Sequence, residues 1–316
     1  MLGRSVIVIL LTSTIVIAGI EDIAFRQQGL QNMKNNSMCK TFNQTADKRI
    51  FGGETAILGQ FPYQVLIYVV SNVNDTCCKI TLLSYVSDTK CGGSLIDEFW
   101  VLTAAHCFPD SFHHVELKFG VISTRWSVYE ATVPSHNVKI HKGYSKSLHE
   151  NDIAMIQIPE ANFGLLNYPY VDVIELPGRD DNFVGINATV SGFGRTEKGK
   201  SDVLKYVDLQ VMENTECSKS YSNVKILDSH VCGRSTTKTG MCFGDSGGPY
   251  AVKEHCRNIF VGIVSFGTAD CESEYPDVFT RVSNYLDWIN EVMKSSSQLV
   301  AINKMIFVLT LIVILY

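Results

Sequence analysis

A chain of 316 residues that is 46% hydrophobic and 19% charged has enough apolar content to bury a core, which excludes a disordered or collagen-like polymer. Its net charge of −5, with no block of like charges, leaves no electrostatic footprint for nucleic acid. The ten cysteines imply disulfides or metal sites, and the two ends of the chain decide between these.

Residues 1–20 begin with Arg4, continue through the apolar stretch Val6–Ile17 and close on Val16 and Ala18 as a small-residue cleavage pattern. This is the plan of a secretory signal peptide, its apolar core being short for an anchor. Secretion makes disulfides the default state of the cysteines. In that setting the sequons at Asn35, Asn43, Asn74 and Asn187 are candidate glycan sites. Residues 21–49 are polar, rich in Asn and Gln, and end in Lys48-Arg49, as a propeptide or flexible linker would.

From Ile50 the texture changes. Short runs rich in Val, Ile, Tyr and Phe recur between turn clusters, at Tyr63–Val70, Trp100–Ala104, Ile153–Ile158 and Phe260–Phe266. That spacing predicts an all-β sandwich or pair of barrels. Only Val282–Met293 changes period, with Tyr285, Trp288, Ile289 and Val292 at helical spacing and Ser283 as its expected cap.

The last residues, 295–316, form a hydrophobic tail. Its apolar run Met305–Tyr316 reaches about 18 Å as a helix, against a hydrocarbon core of about 30 Å. Extending it back to Leu299 would place Lys304 in the bilayer, at about 2.5–3.5 kcal/mol if it sat at the centre. Three readings stay open: a GPI-attachment signal with Ser295–Ser297 as its small residues, a short retained anchor, or a merely hydrophobic tail. The first two would tether the protein to a membrane.

Three segments carry chemistry: Leu102-Thr-Ala-Ala-His106-Cys107, Asn151-Asp152-Ile-Ala-Met-Ile156 and Gly244-Asp245-Ser246-Gly-Gly-Pro249. With Ile50-Phe-Gly-Gly53, Cys91-Gly-Gly-Ser-Leu-Ile96, Ile263-Val-Ser-Phe-Gly267 and Pro276-Asp-Val-Phe-Thr280, they resemble the chymotrypsin-like (trypsin-fold) serine endopeptidases. The resemblance spans Ile50 to about Lys294 and implies a protease domain over residues 50–294. The implied fold is all-β: two six-stranded antiparallel β-barrels packed as one globule, with a C-terminal α-helix.

The implied roles follow physical need. A serine hydroxyl is a weak nucleophile, so Ser246 requires an adjacent base. Imidazole titrates near neutral pH, so His106 can take the proton and return it to the leaving amine. Asp152 would fix the tautomer and stabilise the imidazolium. The backbone N–H groups of Gly244 and Ser246 would form the oxyanion hole, where losing one donor costs about 10²–10³ in rate. Ser265 and Gly267 lie on the segment that in the family pairs with the substrate backbone. No cofactor or metal is implied. The substrates implied are proteins and peptides, and protein inhibitors are expected partners. The reading from a different class is a non-catalytic cell-surface binding homologue on the same fold.

By the same resemblance Arg49-Ile50 is a zymogen cleavage site for a trypsin-like activating protease. The freed ammonium of Ile50 would pair with Asp245. Three bridges are implied: Cys91–Cys107, Cys217–Cys232 and Cys242–Cys271. Cys39, Cys77, Cys78 and Cys256 remain: with a vicinal 77–78 bridge disfavoured, either Cys39 joins Cys77 or Cys78 and Cys256 takes the other, or one pair forms and two thiols stay free. A zinc site made from them is disfavoured in an oxidising compartment. Glu175, Ala188 and Val252 stand where relatives carry further bridging cysteines. Cys77 and Cys78 fall in an insertion, roughly 71–90, expected to form a long loop near the cleft.

Specificity rests on the pocket for the residue preceding the scissile bond (P1). Trypsins place Asp at its base, where this chain has Gly240. Asp277 replaces a usual glycine and would enter the same pocket from a neighbouring strand, while Met241 on the wall and Phe243 at the rim add apolar surface. A Gly floor with such an Asp is similar to the brachyurin-type collagenolytic proteases. Broad or chymotrypsin-like cleavage is favoured slightly over strict Arg/Lys preference. Val121 at a calcium-loop position and Pro276 at a sodium-site position argue against those ions, although Glu130 matches a second calcium-loop position.

Overall fold

Alternation decides the strands. In His114–Phe119, Val115, Leu117 and Phe119 are buried while the residues between them are half-buried, the period-two pattern of a pleated strand with one face on a core. Lys205–Met212 repeats it with Val207, Leu209 and Val211. Gln64–Val70 is buried almost throughout. It lies mid-sheet between Ser87–Asp97 and His114–Phe119, with Val65, Ile67 and Val69 in the main core. Leu66, on its other face, packs with Phe193 and Leu204.

The computed structural model describes residues 53–71, 87–159, 164–196, 199–235, 240–268 and 275–296, all within the compact unit Gln44–Tyr316. Two antiparallel sheets dominate. The C-terminal sheet closes into a barrel of six strands, in the order Asn187–Gly192, Lys205–Met212, His230–Arg234, Asp277–Arg281, Arg257–Phe266 and Pro249–Glu254, which returns to Asn187–Gly192. Glu54–Thr55 adds to the outside of Lys205–Met212. The N-terminal sheet is curled, in the order Tyr129–Pro134, His114–Phe119, Gln64–Val70, Ser87–Asp97, Trp100–Thr103, Ala154–Gln157 and Val138–Ile140. The expected two-barrel architecture is therefore present, with one barrel closed by strand pairing and the other a half-barrel sheet.

The last helix differs in detail from the periodic pattern. It opens with a 3-10 turn, Val282–Tyr285, and is α-helical over 286–296. Ser283 lies inside that turn and no side chain caps it, because Arg281 leaves the sheet directly into the turn. Tyr285, Ile289 and Val282 join the core of the N-terminal sheet, so the C-terminal helix packs on that sheet. The expected insertion also differs. Its last residues, 87–90, are strand and pair with Tyr68, Val69 and Val70; Cys77 and Cys78 lie outside the described residues.

Disulfides Cys91–Cys107 and Cys217–Cys232 are present as expected. Cys242 and Cys256 are also disulfide-bonded, which removes Cys256 from the candidates for a free thiol. Cys271 and Cys39 fall outside the described residues. Glu175 pairs with Arg257 at 3.1 Å, and Ala188 and Val252 are both buried in the apolar cluster of the C-terminal barrel. Glu130 is bound by Ser127 and Lys118. Among the described residues no cluster suited to a metal ion occurs, and no helix is long and apolar enough to cross a membrane.

Candidate active site

His106 sits in the 3-10 turn Ala105–Cys107, directly after the strand Trp100–Thr103. The Cys91–Cys107 bridge ties that turn to the neighbouring strand. Asp152 precedes the strand Ala154–Gln157, which pairs with Trp100–Thr103. One hairpin-like pairing thus delivers both residues to the same end of the sheet. Asn151 beside it adopts a left-handed φ of 52° and is held by its Nδ2 donating to Gly143 and by Tyr285 Oη donating to its Oδ1.

The Asp152 side chain is 0% exposed, and that of His106 is 24% exposed. Asp152 Oδ2 accepts from His106 Nδ1 at 2.7 Å and from Ser265 Oγ at 2.6 Å, while Oδ1 accepts the His106 backbone N–H at 2.9 Å. Thr280 Oγ1 donates to the Asp152 carbonyl at 2.9 Å. Burial alone would raise the Asp152 pKa, but the donors from His106 and Ser265 win and hold it below the usual carboxylate range. The imidazole is therefore oriented with its proton at Nδ1 and a lone pair at Nε2.

Ser246 lies in the turn before Pro249–Glu254 of the other barrel, and its backbone borders the His106 turn. Its carbonyl accepts the Gly92 N–H at 2.7 Å and lies 3.8 Å from Cys107 Sγ. Gly247 follows with φ 76°, and a Cβ there would lie 2.6 Å from the Gly92 carbonyl oxygen. Only glycine fits that wedge. Among the described hydrogen bonds none joins Ser246 Oγ to His106 Nε2, and such contacts tighten when a substrate is seated. Gly244 has φ 103°, also a conformation that a Cβ would strain.

Asp245 is buried, with Oδ1 accepting the Gly194 N–H at 2.7 Å and Oδ2 the Cys242 N–H at 2.9 Å. Gly192 and Gly194 leave room for it: a Cβ on either would collide with its carboxylate oxygens. Burial pushes its pKa up, and the two backbone donors and the Lys90 ammonium do not fully offset that. The described groups therefore leave this carboxylate short of positive charge.

Of the specificity candidates, Asp277, Met241 and Gly267 lie close together. Gly240 and Met241 are buried, Phe243 is 65% exposed, and Gly267 is exposed. Asp277 Oδ2 accepts the Met241 N–H at 2.9 Å. A Cβ on Gly267 would lie 2.8 Å from Asp277 Oδ1 and 3.1 Å from Met241 Cε. Burial first, then the nearby Asp245 charge, push the Asp277 carboxyl up to about 7, against the pull of the Met241 N–H. The Ser265 hydroxyl also donates to Asp152, a contact with no local sequence signal beyond its place in the Ile263–Gly267 motif. Of the other candidates, Asn187 is exposed at the start of its strand. Arg49, Ile50, Asn35, Asn43 and Asn74 lie outside the described residues.

A match to the Trypsin family model covers residues 50–289. A collagenase from Hypoderma lineatum is 34% identical over 247 residues, covering 77% of this chain and 86% of that protein. Brachyurin from Leptuca pugilator is 35% identical over 245 residues, 76% of this chain and 96% of its own. Trypsin I-P1 from Gallus gallus is 32% identical over 255 residues, with 79% and 91% covered. Among solved structures, the HL collagenase structure superposes with a TM-score of 0.64 at 30% identity, covering 77% of this chain and 97% of the other. The chain belongs to the trypsin family and is a serine endopeptidase of the two-barrel fold.

Proposed function

We propose that this chain is made as a secreted precursor, cut after Arg49, whose mature form hydrolyses peptide bonds through an acyl-enzyme on Ser246. The observation that carries this reading is the buried Asp152 carboxylate with its three donors, two of them from His106, beside the loop bearing Ser246. His106 Nε2 takes the Ser246 proton as its oxygen attacks the scissile carbonyl. The imidazolium, stabilised by Asp152, then protonates the departing amine, and water repeats the sequence to release the acid. The N–H groups of Gly244 and Ser246 receive the oxyanion.

The undercompensated Asp245 supports the activation step. A cation delivered beside it would offset a buried charge whose isolation costs about 3–5 kcal/mol, and the Ile50 ammonium is the cation that cutting creates. The activator is a trypsin-like protease. Secretion rests on residues 1–20, and tethering on the tail, as a GPI signal or a short anchor.

Asp277 makes the P1 pocket responsive to pH. Below about 7 its carboxyl is neutral and the Gly240 floor with Met241 favours apolar side chains. Above about 7 it is charged, and a half-buried carboxylate with no cation beside it among the described residues then favours a substrate Arg or Lys.

The test uses protein cut at Arg49 with a removable trypsin, beside Ser246→Ala, on peptide amides with Arg, Lys, Phe or Leu at P1. All turnover is expected to vanish in Ser246→Ala. The ratio of Arg/Lys to Phe/Leu cleavage is expected to rise between about pH 6 and about pH 8, following the carboxyl titration, and to lose that rise in Asp277→Gly. A ratio unchanged by pH and by the substitution sinks the cation-binding role. A cut enzyme as silent as Ser246→Ala sinks the endopeptidase reading in favour of a binding homologue.

A further inference from the structure

The peptide group joining Phe193 to Gly194 is gripped at both polar ends. Its carbonyl accepts Lys90 Nζ at 2.7 Å, and its N–H donates to Asp245 Oδ1 at 2.7 Å. The bond is trans, so C=O and N–H point in opposite directions. A cation therefore faces the negative end of this dipole and an anion the positive end, and in a low-dielectric interior the two hydrogen bonds strengthen each other.

Lys90 is well placed for the task. Its stem runs beside the oxyanion loop: a Cβ on Gly244 would lie 3.5 Å from Lys90 Cε. It immediately precedes Cys91, which the disulfide ties to the His106 turn. Two residues on, the Gly92 N–H holds the Ser246 carbonyl. One strand thus grips the loop through Asp245 by a charge and through Ser246 by a backbone donor. Among the described residues no carboxylate lies within ion-pair distance of Lys90, so its ammonium contacts the loop by way of the peptide group. Burial lowers the Lys90 pKa while the Asp245 charge raises it, which is the mutual influence this arrangement requires.

We propose that Lys90 is a positioning residue: through the 193–194 peptide its ammonium holds Asp245, and with it the Gly244 and Ser246 backbone, in the arrangement the reaction needs. This rests on the endopeptidase reading above and adds a second charge support, one already in the chain before cleavage.

The test compares Lys90→Met, which keeps the stem and removes the charge, with Lys90→Arg, which keeps both, in the full chain cut after Arg49. Peptide-amide kinetics and hydrogen exchange across residues 242–248 are read on the same samples. In Lys90→Met, kcat is expected to fall about ten-fold, less than the loss of an oxyanion donor itself, with KM within about two-fold and faster exchange in the loop. Lys90→Arg is expected to keep most of kcat and the wild-type exchange. Equal loss in both variants, a change in KM alone, or wild-type kinetics and exchange in Lys90→Met overturns the proposal. Should the wild type itself prove inert, the endopeptidase reading falls, and the exchange comparison still decides whether Lys90 positions the loop.

Discussion

Replacing Asp152 with Asn is expected to lower kcat about 10⁴-fold. The hydrogen bonds explain why no orientation of the amide rescues it. Asp152 accepts at both oxygens, from the His106 backbone N–H at Oδ1 and from His106 Nδ1 and Ser265 at Oδ2. An Asn NH₂ at the first position sets donor against donor at the His106 N–H. At the second it faces Nδ1, which must then shed its proton and become the acceptor. The proton moves to Nε2, and the nitrogen meant to receive the Ser246 proton is occupied. The readout is kcat and KM on a peptide amide beside a thermal midpoint. A variant within about ten-fold of wild type would contradict the base-orienting role. The pH sign follows from the depressed Asp152 pKa: its stabilising contribution is complete above the ordinary carboxylate range and is lost as pH falls through the lowered value.

Asp245→Asn is expected to reduce kcat/KM by about 10²–10⁴-fold. Two costs combine. An Asn amide turns one donor toward the Gly194 or Cys242 N–H, leaving a buried conflict of about 1–3 kcal/mol. The charge that would pair with the Ile50 ammonium is also gone, and breaking such a buried pair costs about 3–5 kcal/mol, or about 10²–10⁴ in rate if spent on the loop order that the transition state requires. Kinetics on protein cut after Arg49 check this, with complete cutting verified at the new N-terminus. Activity within about three-fold of wild type would mean that the buried carboxylate does not govern the loop.

Features with local signatures are legible in the sequence. The period-two pattern of His114–Phe119 gives a strand and its buried face without reference to any partner. The segments around His106, Asp152 and Ser246 announce their chemistry by residue type and order. Contacts set by long-range pairing were not legible. The Ser265 hydroxyl meets Asp152 because a strand of one barrel abuts the turn of the other. Lys90 reaches the Phe193 carbonyl across a sequence separation of 103, and nothing near either residue marks the meeting. Residues 87–90 read as loop within an insertion, yet they pair with Gln64–Val70, because an adjacent formed strand overrides weak local propensity. The capping role expected of Ser283 failed for a related reason: the chain leaves a strand straight into a 3-10 turn, so the helix has no free first turn for a side chain to cap.

Cutting after Arg49 is expected to leave Ser246 an activated nucleophile through His106 and Asp152. The most direct measurement is the rate of covalent labelling by a fluorophosphonate, compared among the cut chain, the uncut Arg49→Gln precursor, Ser246→Ala and His106→Ala. Rapid labelling of the cut chain at Ser246 is expected, with slow labelling of the precursor and of His106→Ala and none at this position in Ser246→Ala. Labelling of the cut chain no faster than that of His106→Ala would contradict it.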